Sequence, residues 1–174
     1  MGVSGLGELF EKQELKLEEL NGKTLAIDAY NSIYQFLTTI RDYQGNLLQN
    51  SKGQVTSHLI GLFYRNSTLT KLGIKPVYVF DGRPSELKKK TLQTRGLAKK
   101  QAEIKLQEAL KKGDFLEVKK QSDRTAIIDE DVISSSKKLL ELSGIPFIQA
   151  LEEGESQCAY LEKNKLVDGV RTQD

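Results

Sequence analysis

The sequence predicts an α/β fold built on a parallel sheet. Short runs rich in β-branched and aromatic residues, TLAID at 24–28, PVYVFD at 76–81 and PFIQ at 146–149, alternate with longer stretches of helical periodicity. Strands separated by helices need crossover connections, which make the strands parallel and cover both sheet faces. The 174 residues suffice for one sizeable core and are too few for two.

The elements follow in order. Residues 6–20 read as a short, partly amphipathic helix, closed by the turn signal Asn21-Gly22 before the 24–28 strand. A helix is predicted over 32–40 and a polar loop over 44–53. Leu59, Ile60, Leu62, Phe63, Leu69 and Leu72 give a helical pattern over 54–73, with Gly73 as its stop. The stretch 85–112 is rich in Lys, Gln, Glu, Leu and Ala, all strong helix formers, and poor in large apolar residues, so it belongs outside the core. A further helix spans 123–142 and ends at Gly144 and Pro146. A helix over 153–165 has acids in its first turn, and a last strand begins at 169. A chain ending on the tip of a strand, with no helix to cover it, suggests a truncation, though a fold can end on a strand.

Apolar residues make up 38% and charged residues 29%, and no stretch approaches the ~20 apolar residues of a membrane helix, which argues against a membrane partner. Residues 1–10 lack the basic and apolar regions of a secretory signal, and Leu6 stands where a myristoylation site needs Ser or Thr. The single cysteine, Cys158, cannot form an internal disulfide and suits a reducing compartment.

The net charge of +2 conceals an uneven distribution. Residues 83–124 hold 13 Lys/Arg against 6 Asp/Glu, a balance of +7, which leaves 13 against 18 elsewhere, a balance of −5. Such a segment either binds phosphates or forms a solvated, salt-bridged helix face. Lys88 and Arg95 are two turns apart on one face, and Lys99 continues it.

Three strands end in an acid, Asp28, Asp81 and Asp174, and the strand PFIQ is followed by Glu153 and Glu155. In a parallel sheet these tips share the carboxyl edge, where open α/β sheets place their ligands. Singly, Asp28 and Asp81 read as helix caps, and Glu153 and Glu155 as residues that favour a helix N-terminus. Together, five carboxylates would raise one another's pKa values, and hard cations such as Mg²⁺ remove that cost. Two such ions ~4 Å apart are a standard arrangement for phosphodiester hydrolysis. No Cys/His cluster suits zinc, and the lone His58 reads as a packing or hydrogen-bonding residue.

Several stretches resemble the flap endonucleases, with short connections of archaeal type. They are Met1-Gly2-Val3-Ser4-Gly5-Leu6, Ala26-Ile27-Asp28-Ala29, Ser32-Ile33-Tyr34-Gln35-Phe36-Leu37, Thr56-Ser57-His58-Leu59, the run from Gly73 to Pro84, Gly144-Ile145-Pro146 and Glu153-Gly154-Glu155. They occur in order over essentially the whole chain. The resemblance implies a 5′-nuclease core of the PIN-like type, which cuts DNA bearing a 5′ flap near the junction with the duplex. It implies two Mg²⁺ ions, with Mn²⁺ as a substitute, held by Asp28, Asp81, Glu153, Glu155 and Asp174. Lys88 and Arg95 would act on the scissile phosphate, and 83–124 would form a basic helical arch around the flap. Tyr34 would stack on a base, and Arg41, Gln49, Thr56 and Lys99 would lie along the DNA. The remaining carboxylates of the second metal, the duplex-gripping element and a tail that docks on a sliding clamp would all fall beyond residue 174. Ser51 and Lys52 stand where eukaryotic members carry an acidic pair that blocks longer 3′ flaps. The compartment implied is the cytoplasm of an archaeal cell, or a eukaryotic nucleus. On this reading the chain alone is an incomplete, weakly active nuclease. The alternatives are a non-catalytic nucleic-acid-binding fragment and a related 5′ exonuclease.

Overall fold

The computed structural model describes residues 13–82 and 128–172. A 3-10 turn, Leu17–Leu20, leads into β1 (Thr24–Asp28), α1 (Ala29–Thr39), α2 (Ser57–Lys71) and β2 (Lys75–Phe80). After residue 127 come α3 (Glu130–Leu142), β3 (Phe147–Gln149), α4 (Gly154–Lys163) and β4 (Gly169–Arg171). The strands form one sheet in the order β3-β2-β1-β4, and every neighbouring pair is parallel. Asp28 lies level with Val79, and Phe80 with Gln149, so the strand ends line up along one edge.

Strand alternation sorts the side chains between two unequal layers. Leu25, Ile27, Tyr78 and Phe80 point to one face, where they pack with Ile33 and Phe36 of α1, Leu62 and Leu69 of α2, and Val132 and Leu140 of α3. Ala26 and Val79 point to the other, with Ala150, Val167 and Cys158 of α4. The small side chains on this second face leave room for α4 close to the sheet. The two-residue period that places Ala26 and Val79 there also sends Asp28 and Asp81 to the same side.

The fully buried Tyr78 donates its hydroxyl to Asn66 Oδ1 at 3.0 Å, which satisfies its one polar atom inside the larger core. Burial pushes its phenol up to about 12. The stops read from the sequence are the observed ones. Gly73 (φ 73°) and Gly144 (φ 67°) adopt the left-handed conformation, and the next amides, Ile74 and Ile145, donate back to the carbonyls of Leu69 and Leu140. Among the described residues, no helix is long and apolar enough to cross a membrane.

Several boundaries differ from expectation, each for a local reason. Of the helix expected over 6–20, residues 13–20 retain only the 3-10 turn; Leu15 and Leu17 are exposed, while Leu20 packs against the core. Helix α1 starts at Ala29 rather than 32 because the Asp28 carboxylate accepts the Asn31 N–H. Helix α2 starts at Ser57 rather than 54. Asn50 Oδ1 instead accepts the amides of Lys52 and Gln54 and curls the chain into a turn with Gly53 at φ 78°. Among the described residues α3 starts at Glu130, where the Asp129 carboxylate accepts the Val132 N–H at 2.8 Å. The 85–112 helix and residues 173–174 of the last strand lie outside the described residues.

Candidate functional site

The carboxyl edge of the sheet brings three of the expected acids into one electrostatic neighbourhood. Asp28 closes β1 and caps α1, its Oδ1 accepting the Asn31 N–H at 3.0 Å. It is only 7% exposed. Burial is the largest cause holding its carboxyl above the ordinary range; the Asn31 N–H opposes this, and the charges of Asp81 and Glu155 reinforce it.

Asp81 stands one residue beyond β2. Its Oδ1 accepts the Gly154 N–H at 2.7 Å, so it caps α4 across the sheet edge. The contact depends on glycine: a Cβ at position 154 would lie 2.8 Å from that oxygen. The next residue is equally confined. Gly82 N–H donates to the Glu152 carbonyl at 2.6 Å, and a Cβ there would collide with the carbonyls of Ala150 and Leu151. Glu153 occupies the N-cap position of α4, and Glu155 lies in its first turn. Helix dipoles favour acids at both places.

The groups around these carboxylates register the same field. Cys158, four residues after Gly154 on α4, is fully buried. Burial pushes its thiol up to about 12, and Asp28, Glu155 and Asp81 each add to the rise. Burial and Asp81 likewise raise the Tyr30 phenol. Asp28 at the end of β1, Asp81 just past β2 and Glu155 on α4 thus lie near enough to feel one another's charge. The donor set is all carboxylate oxygen, the chemistry that suits hard divalent cations. Among the described residues no group of three or more His, Cys, Asp or Glu side chains is placed so that it could hold a metal ion. Closing like charges on one another is costly until a cation is between them. Asp174 lies outside the described residues, as do Lys88, Arg95 and Lys99.

The positions expected along DNA are scattered around α1, α2 and the loop between them. Tyr34 is 44% exposed on α1. Arg41 braces the start of the loop: its guanidinium donates to the carbonyls of Gly45 at 2.8 Å and Thr38 at 3.3 Å. Gln49 is exposed and bridges to Val55. Thr56 takes the N-cap position of α2 without a side-chain cap bond. It lines a cavity of about 430 Å³ with Asn50, Lys52, Ser134 and Lys138, between the loop and α3. His58 has the packing role expected. It is fully buried, its Nε2 lies 2.9 Å from Ser135 Oγ, and burial lowers its ring to about 4. Sequence reasoning missed this cavity, the part played by Gly154 and the involvement of Gln149. The glycine between two glutamates was visible, but nothing in the sequence says that its amide meets Asp81.

The comparisons agree with this geometry. The XPG N-terminal domain model matches residues 1–102, and the XPG I-region model matches residues 144–174. Flap endonuclease 1 of Pyrococcus abyssi is 52% identical over 174 residues, which is all of this chain and 50% of that protein. Among solved structures, flap endonuclease-1 from Methanococcus jannaschii superposes with a TM-score of 0.70 at 42% identity, covering 98% of this chain and 54% of that one. The catalytic core of Rad2 in complex with DNA substrate gives a TM-score of 0.64 at 36% identity, covering 92% and 42%. The chain therefore spans about half the length of the curated relatives it matches. By these two family matches, the chain belongs to the XPG N-terminal and I-region family.

Proposed function

We propose that this chain forms the N-terminal part of a structure-specific nuclease core that cuts DNA near the base of a 5′ flap. The observation that carries the reading is the shared field of Asp28, Asp81 and Glu155 at the carboxyl edge of a parallel sheet. These three, with Glu153 and Asp174, would hold divalent cations, Mg²⁺ in the first instance. Bound there, two cations supply charge neutralisation and Lewis acidity at a phosphodiester.

The chain's own residues do the rest. Asp28 and Asp81 are pre-aimed by their cap bonds to Asn31 and Gly154, so little reorganisation is needed when a cation arrives. The segment 83–124 follows Asp81 and Gly82 in sequence and carries a surplus of seven positive charges. It is the proposed arch, with Lys88 and Arg95 on the scissile phosphate and Lys99 beyond them. Tyr34, Arg41, Gln49 and Thr56 are the proposed contacts to the DNA outside the metal site. A DNA partner draws support from the similar catalytic core of Rad2, solved in complex with DNA substrate. A sliding clamp is the second proposed partner, reached through residues beyond 174.

A chimera tests the reading. Residues 1–174 are joined to the remaining half of the Pyrococcus abyssi relative and given a labelled 5′-flap DNA with Mg²⁺. Cleavage near the junction, abolished by Asp28→Asn and by Asp81→Asn, is the expected result. Cleavage that survives both substitutions contradicts the proposal. The 174-residue chain alone should cleave far more slowly than the chimera, because a carboxylate site displaced by ~1 Å can lose about a hundredfold in rate.

A further inference from the structure

The main-chain carbonyl of Asp81 lies just past the last rung of the sheet. The backbone ladder between β2 and β3 ends where the Ala150 N–H donates to the Phe80 carbonyl at 2.8 Å. A side chain supplies the next rung. Gln149 Nε2 donates to the Asp81 carbonyl and reaches the Phe80 carbonyl at 3.5 Å. On the opposite side of the same peptide unit, the Gly82 N–H donates to the Glu152 carbonyl. The Asp81–Gly82 peptide plane is therefore gripped at both its oxygen and its nitrogen, which sets the backbone angle that aims the Asp81 side chain.

Gln149 is itself held. Its Oε1 accepts from Lys137 Nζ of α3 at 2.7 Å. That ammonium lies 4.9 Å from the centre of the Phe80 ring and 5.9 Å from that of Phe147, two rings packed edge-to-face. A cation on one end of an amide polarises it and strengthens the donor at the other end. The amide can face only one way: an ammonium has protons alone to offer and a carbonyl accepts only, so the oxygen meets Lys137 and the nitrogen meets Asp81. The chain Lys137–Gln149–Asp81 also joins two points far apart in sequence. Asp81 stands just before the basic 83–124 segment, and Lys137 lies on the first described helix after it.

We infer that Gln149, oriented by Lys137, is a positioning residue that fixes the Asp81–Gly82 peptide and so aims the Asp81 carboxylate at the cation site. The inference rests on the reading of Asp81 as a metal carboxylate, and its test keeps the two apart. Three variants are compared with the wild-type chain. Gln149→Met removes the amide at similar length. Gln149→Glu keeps a partner for Lys137 but sets an acceptor against the Asp81 carbonyl. Lys137→Met removes the orienting cation. Hydrogen exchange at the Gly154 amide, which bonds the Asp81 carboxylate, reads the aim of that side chain without metal. Calorimetric titration with Mn²⁺ reads the site, and Asp81→Asn serves as its control.

Both Gln149 variants should expose the Gly154 amide to faster exchange and weaken Mn²⁺ binding by about tenfold, the lower end of the effect of groups that orient a metal's ligands. Lys137→Met should act in the same direction and less strongly. A role in packing alone, or in tying α3 to β3, predicts that Gln149→Glu behaves as wild type, because it retains the link to Lys137. Unchanged Gly154 exchange in both Gln149 variants overturns the inference whatever the metal does. Loss of Mn²⁺ binding in Asp81→Asn with wild-type affinity in the Gln149 variants overturns it alone. Equal Mn²⁺ binding by wild type and Asp81→Asn, or no binding by either, overturns the metal reading and this role with it.

Discussion

The Asp81 carboxylate accepts the amide of Gly154 at 2.7 Å, so the acid that follows one strand caps a helix begun 73 residues later. This bond ties β2 to α4, the element that carries Glu155 and Cys158. Gly154→Ala places a methyl 2.8 Å from that oxygen. That oxygen is the end of a side chain, which can swing away at little cost to the fold, and the Val79 carbonyl at 3.3 Å needs to give by only a few tenths of an ångström. The substitution should therefore change the unfolding free energy by less than about 1 kcal/mol, since a helical Ala is itself favoured over Gly. It should still weaken Mn²⁺ binding several-fold by turning Asp81 aside. Calorimetry and a denaturant melt on the same variant check the split; a large loss of stability with unchanged affinity would contradict it.

Gly61 presents the opposite case. A Cβ on this α2 residue would fall inside the Phe36 ring of α1, and Phe36 is 4% exposed, with the Arg65 guanidinium 4.5 Å above it. The ring has nowhere to go, so Gly61→Ala should destabilise the chain by about 2–3 kcal/mol, the usual cost of overpacking. Urea denaturation should show a lower midpoint at unchanged slope. An unshifted midpoint would mean that α1 and α2 are not in this contact.

His58 makes stability depend on pH with a definite sign. Burial holds its ring at about 4 in the folded chain, against an ordinary 6.5, while the Asp129 charge pulls weakly the other way. Between those values the unfolded chain binds the extra proton, so the stability contributed by a neutral His58 is complete above about pH 6.5 and is lost as pH falls toward 4. The loss should be on the order of 2–3 kcal/mol. His58→Gln should flatten this part of the stability curve. Equal pH dependence in the two proteins would remove the proposed cause.

The sheet was legible because TLAID and PVYVFD carry patterns that few other elements share, and because Gly73 and Gly144 stop their helices by a local conformational requirement. The acids at the strand tips were legible for the same reason, since strand parity and parallel topology decide where Asp28 and Asp81 point. The cap reading of Asp28 is the observed one, and the same carboxylate also feels the charges of Asp81 and Glu155. Less legible were boundaries set by side chains acting on backbone, such as Asn50 in its turn and Asp28 at the start of α1. Contacts at long sequence separation were not legible at all. Asp81 with Gly154, and Gln149 with Lys137 and Asp81, depend on how closely α4 and α3 approach the sheet. Arg41 illustrates the same limit: the resemblance places it near the DNA, but nothing in the local sequence says that its guanidinium donates to the carbonyls of Thr38 and Gly45.

Asp28 offers the most direct test of a shared cation site. Its carboxyl is raised in the folded chain, chiefly by burial, so ionised Asp28 detracts from stability once the pH exceeds its unfolded value of 3.8. Asp28→Asn removes that cost and retains an oxygen to accept the Asn31 N–H. The decisive measurement is thermal unfolding of wild type and Asp28→Asn at pH 7, without and with Mn²⁺. Without metal, Asp28→Asn should melt at or above the wild-type temperature. With Mn²⁺ at a hundredfold excess over its dissociation constant, the wild type should gain about 2.7 kcal/mol and the variant essentially nothing. A wild type that Mn²⁺ does not stabilise, or a variant stabilised equally, would contradict a cation site built on Asp28.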